Sequence, residues 1–493
     1  MIFRLFATAA AVLVGVSASA APVLAPPAAL VPELQQYVKV ASGKIALSHV
    51  RVIDGTSAAP SEDQTVLIDG SRIAAVQSAS AAVPSGYRTI DLTGTSVMPG
   101  IVGMHDHLYY IARPNLDASG HSEDPLVVPQ MTFSAPRLYL ANGVTTMRTT
   151  GSVEPYADIN IKSQIDAGKL IGPHMDVTAP YLEGPDSPFI QMHQITSPED
   201  ARRTVAFWAD QGATSFKAYM NITRAELKAA IDEAHRRKLK ITGHLCSVTY
   251  PEAAALGIDD LEHGFFVNTQ LDPGKKPDKC SDTAGGPTLL AMTPGSPEAN
   301  ALIKLLVDRK VAVTSTLPVF EQRLALHAPL NPKAMAVLTP EVTESYLYLR
   351  NLSATRGATP GGQAVVQAYK NDLGLERQFV AAGGLLLAGP DPTGNGGVIP
   401  GFGDQRALEL LVEAGFSPLE AIRIGTVNGA TYLGLADRIG SIAPGKNADL
   451  IVIRGNPAAN INDIEKVETV FKDGVGYDTA KLLDSVQGRY GQY

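Results

Sequence analysis

Residues 100–110 read GIVGMHDHLYY. An apolar run ends here in His105-Asp106-His107, and its texture is that of a β-strand. Successive side chains of a strand alternate between faces. His105 and His107 therefore share one face and Asp106 takes the other. Two imidazoles side by side at the end of a hydrophobic strand offer half a metal site, because neutral imidazole suits zinc and similar ions. An HxH pair also arises by chance, so the remainder of the chain decides its meaning.

Seven further strand-like runs follow: GVTTMRTT, HMDVTAPY, TSFKAYM, LKITGHLC, IDDLEHGF, KVAVTSTL and GGLLLAGPD. Helical patterns separate them. TRAELKAAIDEAHRRK and DQRALELLVEAG place apolar residues at three- and four-residue spacings. Alternating strands and helices predict a parallel α/β architecture. Eight such units predict a (β/α)8 barrel of the TIM type over residues 99–436, with its chemistry at the C-terminal strand ends.

The candidate ligands fall at those ends. Lys217 lies in SFKAYM, His244 in ITGHLC, His263 in LEHGFF and Asp391 in LLLAGPD. His244 and His263 extend the set begun by His105 and His107. An ammonium repels a cation, but a lysine amine that has reacted with CO2 is an anionic carbamate able to bridge two metals. The apolar strand around Lys217 argues for burial, where an unpaired ammonium is costly. A carboxylate at Asp391 can take a proton from water and pass it to a leaving group. The other six histidines, His49, His121, His174, His193, His235 and His327, carry no metal role in this reading.

Short alternating strands precede and follow the barrel segment. Residues 43–98 and 437–480 are expected to pair into a small β-sandwich domain built from both ends of the mature chain. A Pro/Ala-rich linker is expected over 21–42. Residues 112–131, 181–198, 266–298 and 389–404 are rich in Gly, Pro, Asp and Ser, and their place after strands favours a lid or substrate-contact role.

The first twenty residues read as a secretory signal. Arg4 supplies the positive start, an apolar stretch follows, and Ala18-Ser19-Ala20 is a cleavage motif. The expectation is an exported protein, periplasmic or secreted, with no stable membrane insertion after signal removal. A net charge of −8 without a basic block gives nucleic-acid binding no electrostatic support. Two cysteines, Cys246 and Cys280, are compatible with a disulfide after export. Paired, they would pin a loop over the site; two unpaired thiols are the alternative.

Taken together, GIVGMHDH, the Lys217-x-Tyr219 pattern and the tail TVNGATYLGLADRIGSIAPGKNADLIVI resemble the amidohydrolase superfamily across almost the whole mature chain. GVTTMRTTGS, LEHGFF and LLLAGPD resemble its imidazolonepropionase-like and Xaa-Pro-dipeptidase-like branch. Lys217 moves the chain toward the two-metal members of that branch. The resemblance implies two divalent ions, zinc by preference, held by His105, His107, Lys217 (as a CO2-derived carbamate), His244, His263 and Asp391. It implies an amide hydrolase acting on dipeptides or N-acyl amino acids through a metal-bridging hydroxide, with Asp391 as the proton shuttle. A lactone, cyclic-amide or organophosphate hydrolase on the same residues is the alternative, as is a mononuclear imidazolonepropionase-like enzyme. An exported binding protein on an inactive barrel is disfavoured by the retention of all six residues. Tyr109, Tyr110, Tyr219 and Arg323 are substrate-contact candidates. Arg323 could hold a carboxylate bidentately, although a solvated helix is its favoured setting. GPD at Asp391 departs from the commoner GTD or GSD. A small-molecule or dipeptide substrate is the expected partner, and a homo-oligomer is compatible with the sequence.

Overall fold

The computed structural model describes residues 22–111, 128–187 and 189–491. The expected signal segment, His121 and most of the loop 112–131 lie outside them. No helix among the described residues is long and apolar enough to cross a membrane.

Six strands come first: β1 (Val38–Val40), β2 (Lys44–Val52), β3 (Ser61–Asp69), β4 (Arg72–Ser78), β5 (Arg88–Asp91) and β6 (Thr95–Pro99). The central strands are β7 (Ile101–Asp106), β8 (Val144–Thr149), β9 (His174–Val177), β10 (Ser215–Ala218), β11 (Lys240–Gly243), β12 (Asp260–Glu262), β13 (Ala312–Ser315) and β14 (Leu386–Ala388). Three more close the chain: β15 (Leu450–Arg454), β16 (Val467–Lys472) and β17 (Val475–Asp478).

The central strands are all parallel, and almost every residue in them is buried. Continuous apolar runs fit this, since parallel strands are covered on both faces. The two helical patterns read from the sequence form Arg224–Arg236 and Phe402–Glu413. A capping box fixes the start of the first: the Thr223 hydroxyl accepts from the Glu226 N–H, and the Glu226 carboxylate accepts from Thr223.

A closed eight-stranded ladder is not what the hydrogen bonds describe. They divide the central strands into β7-β8-β9 and β10-β11-β12-β13-β14. At one seam, isolated bridges join Thr178 to Ser215 and Leu182 to Ala218. At the other, the Asp391 N–H donates to the His105 carbonyl at 3.0 Å. β9 and β14, the strands that border the seams, span four and three residues. Close approach at the second seam depends on Gly389, where a Cβ would lie 2.2 Å from the His105 nitrogen.

The two ends of the chain do pair, and their hydrogen bonds run through one nine-stranded sheet. Its order is β1-β17-β16-β15-β6-β2-β3-β4, with β5 on β2. The reason is the antiparallel pairing of β6 with β15, which makes both ends parts of a single ladder. Val50, Val66, Val97, Leu450 and Phe471 share one buried cluster in it. The expected linker contributes structure as well: Pro32–Tyr37 is a 3-10 helix and β1 pairs with β17.

Candidate metal centre and active site

The six candidate ligands stand at or just past the C-terminal ends of β7, β10, β11, β12 and β14. His105 ends up beside His107 on the inner face, as alternation requires, with ring centres 5.2 Å apart. Asp106 points to the other side, next to Asp404, and burial together with that second carboxylate raises its pKa well above the usual range.

His107 Nε2 lies 3.4 Å from Asp391 Oδ1. His105 Nε2 is 3.7 Å from the same oxygen. The ligand atoms of His105, His107 and Asp391 all lie within 4.8 Å of one another. The Lys217 ammonium donates to His105 Nε2 at 3.1 Å. His263 packs against His105 and His244, with ring centres 4.7 and 4.3 Å away.

The outer nitrogens are engaged in ways that fix each ring. His107 Nδ1–H donates to the Gly151 carbonyl at 3.1 Å, which leaves Nε2 with its lone pair facing Asp391. His263 Nδ1 pairs with the Thr316 hydroxyl at 2.8 Å, while its Nε2 is buried without a hydrogen-bond partner. His105 Nδ1–H donates to Glu262 at 2.6 Å. A carboxylate behind a ligating imidazole sets its tautomer and raises its basicity. These arrangements fit a divalent metal: nitrogens of His105 and His107 stand together with the Asp391 carboxylate, and His263 Nε2 is buried with nothing else to bind.

Burial holds all four imidazoles neutral. It lowers His105 well below the usual value, helped by the Lys217 charge, and lowers His107 against the opposing pull of Asp391. Burial, then Lys217, takes His244 down to about 3. His263 is lowered by burial and then by His244. Neutral rings keep the lone pairs that a metal needs. Burial also brings Lys217 down to about 8, against Glu262 and Asp391, which favour its charged form. At neutral pH part of the Lys217 population is then the free amine, the form that reacts with CO2. Burial works to raise Asp391, but His105, His107 and Lys217 outweigh it and keep the carboxylate ionised.

Sequence reasoning missed the layer beneath. Arg148 is fully buried and donates from Nη2 to Asp260 and Glu262, both at 2.8 Å, and from Nε to the Met104 carbonyl. Thr242 also donates to Glu262. Glu262 thus links Arg148 to His105. The available signal was an arginine and two acids inside strands otherwise buried throughout, where each charge needs a partner.

A cleft of about 200 Å³ opens over the site, lined by His107, Lys217, His244, His263, Arg323 and Asp391. Tyr109 and Tyr219 border it too, Tyr109 stacked on His107 and bonded to the Tyr181 hydroxyl at 2.7 Å. Tyr110 is a correction to the expected substrate contacts. It follows Tyr109 and turns to the opposite side, where it packs edge-on against Tyr490. Arg323 stays exposed to solvent, as expected, and it also borders the cleft. The short helix Leu317–Glu321 carries it there, and its guanidinium rests on Phe320. Desolvation by the surrounding protein lowers its pKa, with Asp391 opposing.

Arg323, His244 and Phe320 also line an adjoining cavity of about 380 Å³. Phe266, Leu289 and Val365 make its wall apolar. Cys246 is in that wall and is disulfide-bonded to Cys280, with 4.7 Å between Cα atoms. A bridge across this 34-residue separation contributes about 3–4 kcal/mol in the chain-entropy model. It ties the loop that brings Thr283 and Gly286 to the cavity.

Comparison with known proteins agrees with this geometry. Residues 397–476 match the Amidohydrolase family. An adenine deaminase 1 of Jannaschia sp. is 47% identical over 50 residues, which are 10% of this chain and 8% of that protein. An imidazolonepropionase of Deinococcus radiodurans is 41% identical over 80 residues, 16% of this chain and 19% of that one. The chain therefore spans under a fifth of the length of these two curated relatives. A solved Xaa-Pro dipeptidase with bound methionine in its active site is 19% identical and superposes with a TM-score of 0.64 over 88% of this chain and all of that one. The candidate ligands precede the matched segment, so their assignment rests on geometry. Residues 397–476 thus match the Amidohydrolase family, in a chain whose fold is similar to that of a solved Xaa-Pro dipeptidase.

Proposed function

We propose that this protein is a metal-dependent hydrolase of amide bonds, acting on dipeptides or N-acyl amino acids. The observation that carries the reading is the convergence of His105, His107, Lys217, His244, His263 and Asp391 around one cleft at the strand ends. His105, His107 and Asp391 would hold one ion, and His244 and His263 a second, with carboxylated Lys217 between them. Divalent ions there would acidify water and polarise a scissile carbonyl. Asp391 takes the proton of the attacking water on its carboxylate and delivers it to the leaving nitrogen. The Lys217 amine gains the carbamate by forming a bond to the carbon of CO2 and releasing one proton. Glu262 and Gly151 hold the His105 and His107 rings in register.

The apolar cavity beside the cleft suits a bulky acyl or side-chain group, and Arg323 at its junction suits a free carboxylate. Arg323→Ala is expected to raise KM about tenfold on a carboxylate substrate with little change in kcat, since one charge-assisted hydrogen-bonded pair is lost. Steady-state kinetics on the acid and on its amide derivative check this; an equal effect on both removes Arg323 from carboxylate recognition.

Metal analysis of protein prepared with bicarbonate tests the site. About two equivalents in the cleft, counted as the metal that is retained in Asp473→Asn and falls in Lys217→Ala, are expected. The compact His105–His107–Asp391 triad favours a second reading, a mononuclear enzyme. About one equivalent, indifferent to Lys217, selects it and turns the search toward deaminase or cyclic-amide chemistry. Export through the segment 1–20 belongs to the same proposal, supported by the disulfide, which persists in oxidising compartments. Fractionation of the source cells tests it, and cytoplasmic recovery defeats it.

A further inference from the structure

Away from the cleft, at the N-terminal ends of the parallel strands, a second set of ligand-type side chains meets. His174 opens β9, Asp449 precedes β15, and Asp473 sits in the turn between β16 and β17. Asp473 and Gly474 have φ of 50° and 75°. An Asp-Gly pair is well suited to such a left-handed two-residue hairpin turn. The Asp473 N–H donates to Asp449 Oδ1 at 2.7 Å, which leaves Oδ2 facing His174.

His174 Nε2 lies 3.3 Å from Asp473 Oδ2 and 3.7 Å from Asp449 Oδ2. Neither approach has hydrogen-bond geometry. His174 Nδ1 and Nε2 and Asp449 Oδ2 are buried with no hydrogen-bond partner, and the two residues are only 1% and 5% exposed. Buried polar atoms are rarely left in that state. Ligand atoms held about 2.0–2.2 Å from one ion stand roughly 3–3.6 Å apart. The contacts of His174 are thus too long and misaligned for hydrogen bonds and close to the spacing of a shared ion.

We propose that His174, Asp449 and Asp473 form a second divalent metal site, separate from the one in the cleft. One imidazole and two carboxylates suit a first-row ion such as Zn²⁺ or Mn²⁺. Ca²⁺ is disfavoured because it takes six to eight oxygens. His174 and Asp473 border a cavity of about 510 Å³, which leaves room for water to complete the coordination. Lys472 borders the same cavity, yet the described ion pairs of both carboxylates are with His174. Since His174 belongs to the parallel strands and both acids to the end sheet, the ion clips one to the other.

The test compares the purified full chain with Asp473→Asn and His174→Gln after loading with Mn²⁺ and removal of free ion. Each variant is expected to hold one equivalent fewer than the parent, to keep its turnover, and to lose part of the rise in thermal midpoint that Mn²⁺ gives the parent. Asp473 lies in a turn that tolerates Asn, so that variant decides the matter if His174→Gln does not fold. Unchanged metal content overturns the proposal, with or without a lower midpoint. Metal and turnover lost together overturn it too, because they place the missing ion in the cleft.

Discussion

Asp391→Asn is expected to lower kcat by about 10²–10⁴-fold, the usual contribution of a positioned acid–base group. Its Oδ1 stands 3.4 Å from His107 Nε2, and its left-handed backbone, φ 50°, aims the carboxylate into the cleft. Non-glycine residues adopt that conformation only where their surroundings impose it, and such positions gather at functional sites. The amide keeps the shape and one ligand oxygen but cannot carry the proton. Metal content and circular dichroism should stay near those of the parent. Full activity in this variant would defeat the mechanism.

The second large effect lies beneath the site. Arg148→Met is expected to destabilise the fold by about 3–5 kcal/mol, the cost of removing one partner from a buried ionic group. Asp260 and Glu262 would then lack their cation in a fully buried setting. Burial and the neighbouring Glu262 already push Asp260 up to about 7, with Arg148 opposing them. The shift in urea midpoint measures the loss. A change under 1 kcal/mol would show that the acids find other partners. Because Glu262 also orients His105, the variant should bind metal more weakly even under conditions where it is folded.

The strand ends were legible because the barrel strands are short apolar runs closed by polar residues, and ligand-type residues at those ends stand out. Glu262 was not, though it adjoins His263 in LEHGFF. A charged residue in a strand reads as a solvated one until Arg148, more than a hundred positions earlier, is seen beneath it. The place of Arg323 at the cleft was not legible either: it is exposed as expected, but where a residue just past a short helix faces is set by the chain around it. Tyr109 and Tyr110 came as a pair, and strand alternation could have separated them. The nine-stranded sheet was half legible. Each end displayed its strands, but only the pairing of β6 with β15 joins them into one ladder. His174, Asp449 and Asp473 carry no motif, since their meeting is a product of that same sheet.

That sheet also dictates an order of events as the polypeptide is made. Met98 pairs with Ile451, so the strand leading into the HxH stretch waits for nearly the whole chain before its neighbour exists. Until then the β6 edge is open, and open edges template pairing with other chains. Contacts so distant along the sequence form slowly and leave intermediates prone to aggregation. A ribosome-bound fragment ending before residue 450 holds every candidate ligand of the cleft yet lacks the strands that complete the sheet. Such a fragment is expected to aggregate more readily than the full chain, which sedimentation of the two expressed side by side would show.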